Sequence, residues 1–392
     1  MAPLVLPARP HARRSDQRPG TELQATVRER KRAGPTARAA HKVEVPKPRV
    51  FVTRHLPGDA LDQLADKAEI AVWGNALPPG RDELVQEVAR SDGVLTLLSD
   101  RIDDELLDRA TRLLVVSNMA TGFDNIDVVA ASRRIVLVTR TPGVLSATTA
   151  EYTIALLFAA ARRVVEGDRL VRSGEWKTWG PEVLLGRDLS GAMLGIIGMG
   201  GIGREVARRA RALGMRVVYF SRNRKPGLER RHRMSFLRLD ELLRESDFVS
   251  LHAPLTSETR HIIDDETLAL MKSTAILVNT ARGPLVDQGA LYRALSLGRI
   301  AGAALDVTDP EPLEPNDPLL GLPNVIVTPH IASASVATRS RMARLAVENL
   351  LEALAGRVPK HAVNRDIVRP WRERVRKSGV AILGDMIERQ PD

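Results

Sequence analysis

Four side chains in the last third of the chain form a set that can do chemistry: Arg282, Asp306, Glu311 and His330. Each comes just after a short apolar run: Ala275-Ile276-Leu277-Val278-Asn279 before Arg282, Ala301 to Leu305 before Asp306 and Glu311, and Val325-Ile326-Val327 before His330. A planar arginine fork holds a carboxylate and polarises the carbonyl beside it. A histidine gives a proton to the alkoxide that forms when that carbonyl takes up a hydride, and a neighbouring carboxylate keeps the imidazole protonated near neutral pH. Taken singly, each residue has a plainer reading: Arg282 as a surface charge, Glu311 as part of a proline-rich loop, His330 as a structural histidine. What favours chemistry is their joint placement after strands of one nucleotide-binding unit.

That unit is the stretch from Gly191 to Arg224. An apolar run ends in Gly198-Met199-Gly200-Gly201-Ile202-Gly203, and Ile202, Val206, Ala210 and Leu213 then keep helical spacing up to Gly214. A second apolar run, Val217 to Phe220, follows. Strand, Gly-x-Gly-x-x-Gly turn, helix and strand make the βαβ unit that binds a dinucleotide. Gly198 permits the tight turn, Gly200 lets the backbone approach a pyrophosphate, and Gly203 lets the helix pack on the strand. The pyrophosphate rests on the free N–H groups and positive dipole end of the helix. An ordinary αβ turn can also be glycine-rich, so the flanking periodicity carries the reading. Phe248 to Leu251 and the three runs above bring the strand-like segments between Gly191 and Pro329 to six, a doubly wound domain whose ligands sit at the carboxyl ends of the strands.

Upstream, Val50 to Val52, Ile70 to Trp73, Gly93 to Leu98, Leu113 to Ser117 and Ile135 to Val138 read as buried strands, with helical patterns such as Leu61 to Lys67 between them. Alternation of this kind means a mostly parallel sheet covered by helices. Thr148 to Val171 reads as one long helix, and the segment after it carries Trp176 and Trp179. The segment is either an ordinary core helix with its loop or an intersubunit arm, since aromatic anchors dominate interfaces; a homodimer through residues 148–181 follows from the second reading.

Charge divides unevenly along the 392 residues. The net +10 is concentrated in residues 1–49, with 12 Lys/Arg against 4 Asp/Glu, whereas residues 50–364 balance at 39 each. A neutral body argues against nucleic-acid binding, and a basic tail reads as a solvated, disordered extension over residues 1–48. Its Arg-rich, acid-poor composition also fits a transit peptide, and a translation start placed too far upstream would leave the same trace; Met1 to Ala8 is too short and proline-broken for a signal peptide. With no cysteine in the sequence, thiolate metal sites, disulfides and a Cys nucleophile are excluded, and a reducing, cytoplasmic setting fits. No apolar run approaches the ~20 residues of a membrane span, and no metal is expected.

Several ordered stretches resemble one family. Val278-Asn279-Thr280-Ala281-Arg282-Gly283-Pro284-Leu285-Val286-Asp287, Ala304 to Pro312, Thr328-Pro329-His330-Ile331-Ala332-Ser333, Thr121-Gly122-Phe123-Asp124-Asn125-Ile126-Asp127 and Thr141 to Leu145 look like signatures of the D-isomer-specific 2-hydroxyacid dehydrogenases, most similar to the glyoxylate/hydroxypyruvate reductases. The resemblance covers about residues 49–365. It implies an α/β protein of two Rossmann-like or flavodoxin-like doubly wound parallel-sheet domains with the active site in the interdomain cleft. Residues 49–145, completed by 331–365, would form the substrate domain and 146–330 the NAD(P)-binding domain; the extension 366–392 exceeds the family's usual ending, and the resemblance assigns it no role. Arg282 would bind and polarise a 2-oxo acid, His330 would be the acid/base and Glu311 its partner, while Asp306 would hold the nicotinamide carboxamide. Backbone N–H groups of Thr121 and Gly122 would take the substrate carboxylate. Cofactor contacts would come from Gly198, Met199, Gly200, Gly201, Ile202, Gly203, Ser221, Arg222, Asn223, Pro254, Thr280, Ala281, Asp306, His330 and Ala332. The family usually has Val at the Thr121 position and often Arg or Lys at Gly201, so a backbone contact survives at 121 and a side-chain contact to the pyrophosphate is absent at 201.

The cofactor reading comes from the residues after the second strand of the βαβ unit. An NAD site places a carboxylate there for the ribose 2′-OH. This chain has Ser221-Arg222-Asn223-Arg224-Lys225, with cations to pair a 2′-phosphate and no acid to repel it, so NADP(H) is preferred and NAD(H) remains possible. A solvated basic loop is the plainer alternative. The expected activity is hydride transfer from NADPH to a small 2-oxo acid such as glyoxylate or hydroxypyruvate, giving glycolate or the D-2-hydroxy acid. Phosphoglycerate or phosphite dehydrogenase is the rival within enzymes. A nucleotide-sensing corepressor-like binding protein is the rival outside them, since such proteins resemble the same family.

Overall fold

Two parallel sheets organise the chain. In the computed structural model residues 47–380 are described; nearly all of the expected basic tail and the last residues of the C-terminal extension lie outside them. The first sheet comprises β1 (Arg49–Val52), β2 (Glu69–Val72), β3 (Gly93–Thr96), β4 (Val115–Asn118) and β5 (Leu137–Thr139) in the order β2-β1-β3-β4-β5. Every neighbouring pair is parallel. Its crossovers carry α1 (Asp62–Ala65), α2 (Arg81–Ala89), α3 (Asp104–Arg109) and α4 (Val128–Arg133). Asp103 and Asp127 start the last two by accepting hydrogen bonds from the N–H groups of Leu106 and Ala130. Strands β3 and β4 are buried along their whole length, which is why they read as continuous runs rather than alternating ones.

The second sheet has seven strands: β6 (Met193–Ile197), β7 (Arg216–Phe220), β8 (Ser235–Phe236), β9 (Phe248–Leu251), β10 (Ile276–Asn279), β11 (Gly302–Leu305) and β12 (Val325–Val327), ordered β12-β11-β10-β9-β6-β7-β8 and parallel throughout. The sequence shows six strands here. The seventh, β8, is a two-residue edge strand, too short to carry a period. Helices α5 (Ser146–Ala161), α6 (Val164–Arg172), α7 (Gly201–Ala212), α8 (Pro226–His232), α9 (Leu239–Glu245), α10 (Asp265–Leu270) and α11 (Gln288–Ser296) lie before and between these strands.

The long helix expected over 148–171 is broken. Arg163 adopts φ +52°, and the Ala161 carbonyl accepts the N–H of Arg187 at 2.8 Å. A later segment thus takes the hydrogen bond that helix continuation would have used, a tertiary effect that periodicity cannot register.

After β12 the chain returns to the first sheet as α12 (Val336–Leu354), whose Met342, Val347, Leu350 and Leu354 share one buried cluster with Val50, Leu95, Leu114 and Val115. A final helix, α13 (Val368–Lys377), joins that cluster through Trp371 and Val375. Trp371 is fully buried and its indole N–H donates to the Leu114 carbonyl at 2.9 Å. Residues 368–377, for which the sequence suggests no role, therefore close the core of the first sheet. Where α5 leaves and α12 returns, the Thr148 and Thr338 hydroxyls hydrogen-bond at 2.7 Å.

Candidate active site

Strand order reverses at β6, which pairs with both β7 and β9, and ligands of such sheets bind outside the carboxyl ends at this point. The glycine turn lies there. Gly198 has φ +102°, and a Cβ on it would run into the His252 carbonyl and the Ala253 N–H leaving β9. A Cβ on Gly203 would run into the Gly198 carbonyl, whereas a Cβ on Gly200 would meet nothing within 4 Å. The turn is thus crowded on its protein side and open at the N-terminus of the 12-residue α7, where Gly200 is the N-cap and no side chain caps the helix. Free N–H groups facing open space fit the pyrophosphate of a dinucleotide. Met199 is buried and Ile202 partly buried among apolar neighbours, so they contribute backbone rather than side chain. Gly201 would crowd the Ser146 hydroxyl if it carried a Cβ.

Beyond β7 the basic loop is more ordered than its composition suggests. Tyr219 donates its phenol proton to Glu229 at 2.8 Å and accepts the Lys225 N–H at 2.6 Å, and Arg224 forks onto both Glu229 oxygens at 2.8 to 3.2 Å. The Ser221 hydroxyl donates to the Asn223 carbonyl at 2.7 Å. Arg224 is therefore spent on Glu229, and Arg222 is exposed with no hydrogen-bonded or ion-paired partner among the described residues. On the opposite rim, the Pro254 carbonyl accepts from the Thr259 hydroxyl at 2.7 Å.

The loops after β10, β11 and β12 carry the four residues from which the sequence reading began. Asn279 shapes the first: its amide donates to the Arg282 carbonyl at 2.8 Å and accepts the Ala281 N–H at 3.0 Å. Thr280 is buried and shares a 2.9 Å hydrogen bond with Thr153 of α5. Asp306, 1% exposed, accepts from the Thr328 hydroxyl at 2.7 Å and from the N–H groups of Ile331 and Ala332 at 2.9 and 2.8 Å. Its own carbonyl accepts the His330 N–H at 2.9 Å. The residue thus builds the turn that holds His330 at φ +53°, a left-handed conformation that side-chain-bearing residues adopt only when their surroundings enforce it. Of the roughly four acceptor positions on a carboxylate, three are taken, leaving one for a cofactor amide.

His330 Nδ1 lies 2.5 Å from Glu311 Oε1. The bond fixes the ring and leaves Nε2 for chemistry. Arg282 Nε donates to both oxygens of Asp124 at 3.0 and 3.1 Å, and its Nη1 to the Ala281 carbonyl at 2.8 Å. The guanidinium lies against Gly122, where a Cβ would collide with Nη2. The loop after β4 and the loop after β10 therefore meet at Gly122 and Arg282.

Several supporting residues escaped the sequence reading. Asn118 donates to the Gly122 carbonyl at 3.0 Å, and Asn125 ties the same loop to the carbonyls of Leu97 and Asp100 at 3.0 and 2.9 Å. Arg140 stacks on Phe123, 5.6 Å from the ring centroid, and donates to the Thr121 carbonyl at 3.3 Å. Arg339 of α12 donates to the His330 carbonyl at 3.4 Å, and burial lowers its pKa. His252 is buried, bonded to the Ser250 hydroxyl at 2.9 Å through Nε2, with no partner for Nδ1 among the described residues; desolvation lowers its pKa to about 3. Of these residues only Asn125 lies within a motif, and a polar residue in a loop does not announce what it holds.

Comparison with known proteins decides the family. Residues 154–332 match the family model of the D-isomer specific 2-hydroxyacid dehydrogenase, NAD binding domain. A glyoxylate reductase of Korarchaeum cryptofilum is 51% identical over 324 residues, spanning 82% of this chain and 98% of the relative. The chain belongs to the D-isomer-specific 2-hydroxyacid dehydrogenases. Among solved structures, the TT0316 protein of Thermus thermophilus superposes on this dehydrogenase with a TM-score of 0.75 at 52% identity, covering 80% of this chain and 99% of that one. An NADPH-dependent glyoxylate/hydroxypyruvate reductase of Sinorhizobium meliloti, in complex with NADP and malonate, gives 0.72 at 31% identity, covering 81% and 97%. The dehydrogenase is accordingly an NAD(P)-dependent oxidoreductase of the α/β class. Among its described residues no helix is long and apolar enough to cross a membrane.

Proposed function

We propose that this dehydrogenase reduces glyoxylate and hydroxypyruvate with a preference for NADPH. The observation that carries the reading is the His330–Glu311 pair, set beside an Arg282 that reaches the Thr121–Gly122 loop of the other sheet. The sheet of residues 49–145, completed by 331–365, serves as substrate domain and residues 146–330 as nucleotide domain. Backbone N–H groups of Thr121 and Gly122 and Nη2 of Arg282 bind the carboxylate of the 2-oxo acid, and the guanidinium charge polarises the adjacent carbonyl. His330 Nε2 delivers the proton, while Glu311 holds Nδ1 and orients the ring. The turn at Gly198 to Gly203 holds the pyrophosphate, Ser221, Arg222 and Asn223 the adenosine ribose with its phosphate, and Pro254, Thr280, Ala281, Asp306 and Ala332 line the remainder of the cofactor's path. A bound reduced nicotinamide supplies the hydride.

Glyoxylate reductases among the relatives support the substrate, and the solved reductase that carries NADP supports the cofactor. A panel of 2-oxo acids of rising side-chain size, assayed with both nicotinamides, tests the proposal. The smallest acids should give the highest kcat/KM, and a clear preference for phosphoglycerate or phosphite oxidation would replace this reading with the rival dehydrogenases. A homodimer is part of the proposal. Trp176 and Trp179 are 54% and 78% exposed, and Val164 and Val171 of the same segment are also exposed, an apolar surface that a second copy would cover. Light scattering on the full chain should give twice the chain mass. A cytoplasmic location fits the cysteine-free sequence.

A further inference from the structure

We infer that Asp124 is a positioning residue that determines which nitrogen of Arg282 meets the substrate; the inference rests on the reductase reading above. A guanidinium offers three nitrogens, and two of them are engaged within the protein. Nε donates to both Asp124 oxygens and Nη1 to the Ala281 carbonyl. Nη2 has no protein acceptor among the described residues, and it lies where a Cβ on Gly122 would stand. The free nitrogen is therefore presented beside the Thr121–Gly122 peptide.

The carbonyls of that peptide segment are tied into the protein: Thr121 O accepts from Arg140 and Gly122 O from Asn118. The N–H groups of Thr121 and Gly122 have no protein acceptor among the described residues. Three unpaired donors, Nη2 and two backbone N–H groups, thus gather around Gly122, and this is what a carboxylate of a 2-oxo acid requires.

A carboxylate two residues from an anion site would ordinarily repel the anion. Asp124 instead grips the Nε edge of the fork and turns the other edge toward Gly122. Arginine side chains have many rotamers, so an unheld guanidinium would spend part of its time in orientations that do not address the carboxylate. Asp124 follows β4 and Arg282 follows β10, so the alignment is also a link between the two sheets. A misplacement of about 1 Å at such a contact costs on the order of a hundredfold in rate.

The test is a double-variant cycle with Asp124→Ala, Arg282→Ala and their combination, read with glyoxylate and NADPH. Asp124→Ala should raise KM for glyoxylate and lower kcat, for a combined loss in kcat/KM of roughly tenfold to a hundredfold, with the Kd for NADPH unchanged. Asp124→Asn keeps an oxygen for Nε and should recover most of the loss. In the Arg282→Ala background, Asp124→Ala should change kcat/KM by less than about twofold, because the two residues act as one unit. Asp124→Glu, which keeps the charge but lengthens the arm by one methylene, should still bind NADPH yet turn over more slowly, and it serves if the alanine variant folds poorly. Wild-type kcat/KM in Asp124→Ala and Asp124→Glu, or losses that add in the double variant, would overturn the inference. If Arg282→Ala itself turned over normally, the reductase reading would fall instead, which is a separate outcome.

Discussion

His330 Nδ1 and Glu311 Oε1 stand 2.5 Å apart across 19 residues of sequence, so one ring nitrogen is committed to the protein and the other is free for the reaction. The pair sits on a turn built by Asp306, whose carboxylate and carbonyl gather the N–H groups of His330, Ile331 and Ala332. Proton delivery should depend steeply on the ring and less steeply on its partner. His330→Ala is expected to lower kcat for glyoxylate by about 10²- to 10⁴-fold, the usual worth of general acid catalysis, and Glu311→Gln by less. Fluorescence titration with NADPH should give nearly the wild-type Kd for both. Unchanged turnover in His330→Ala would remove the proposed mechanism.

Cofactor choice should rest on Arg222 rather than on the basic loop as a whole. Arg224 is bound to Glu229, which leaves Arg222 as the exposed guanidinium without such a partner. Arg222→Ala is expected to lower kcat/KM for NADPH by about tenfold, a charge-assisted contact being worth on the order of 1.5 kcal/mol, with little change for NADH. Arg224→Ala should disturb both cofactors together through the loop. The ratio of the two kcat/KM values in each variant checks the distinction, and a larger shift of that ratio in Arg224→Ala would contradict it.

Gly200 and Gly203 should fail differently. A side chain at Gly200 enters open space at the α7 N-terminus, so Gly200→Val should keep a Tm close to wild type while weakening NADPH by tenfold or more, about 1.4 kcal/mol. Gly203→Val collides with the Gly198 carbonyl and should lower Tm. Thermal melts with and without NADPH separate the two, and equal losses of Tm would contradict the assignment of Gly200 to the ligand side.

Acid sensitivity should trace in part to His252. Unfolded, the ring protonates below its ordinary value of 6.5, whereas burial holds the folded ring neutral down to about 3. Between those values the unfolded state binds more protons, so the His252 contribution is complete above 6.5 and is lost progressively as pH falls toward 3. Tm measured across that window should fall less steeply in His252→Gln than in wild type. Parallel curves would assign the acid sensitivity elsewhere.

Much of this was legible in the sequence because it depends on local pattern. The glycine turn and the strands from β9 to β12 each sit in a segment whose own spacing identifies it, and Arg282, Glu311 and His330 stand out through their joint placement after those strands and the family motifs around them. What escaped depends on contacts between distant segments. The break between α5 and α6 comes from Arg187 bonding Ala161, and the closing role of α13 comes from Trp371 reaching Leu114. Composition made the loop after β7 uniformly basic, and only the fold shows that Glu229 of α8 withdraws one of its cations. Asp124 stands in a family motif, but its hold on Arg282, 158 residues away, is visible only in the fold.

The central claim is tested most directly by the initial rate at which glyoxylate oxidises NADPH in the presence of the purified full chain, with NADH measured alongside. Saturable turnover with a higher kcat/KM for NADPH is the expected result. Absence of glyoxylate-dependent oxidation, or an equal or higher kcat/KM with NADH, would contradict it.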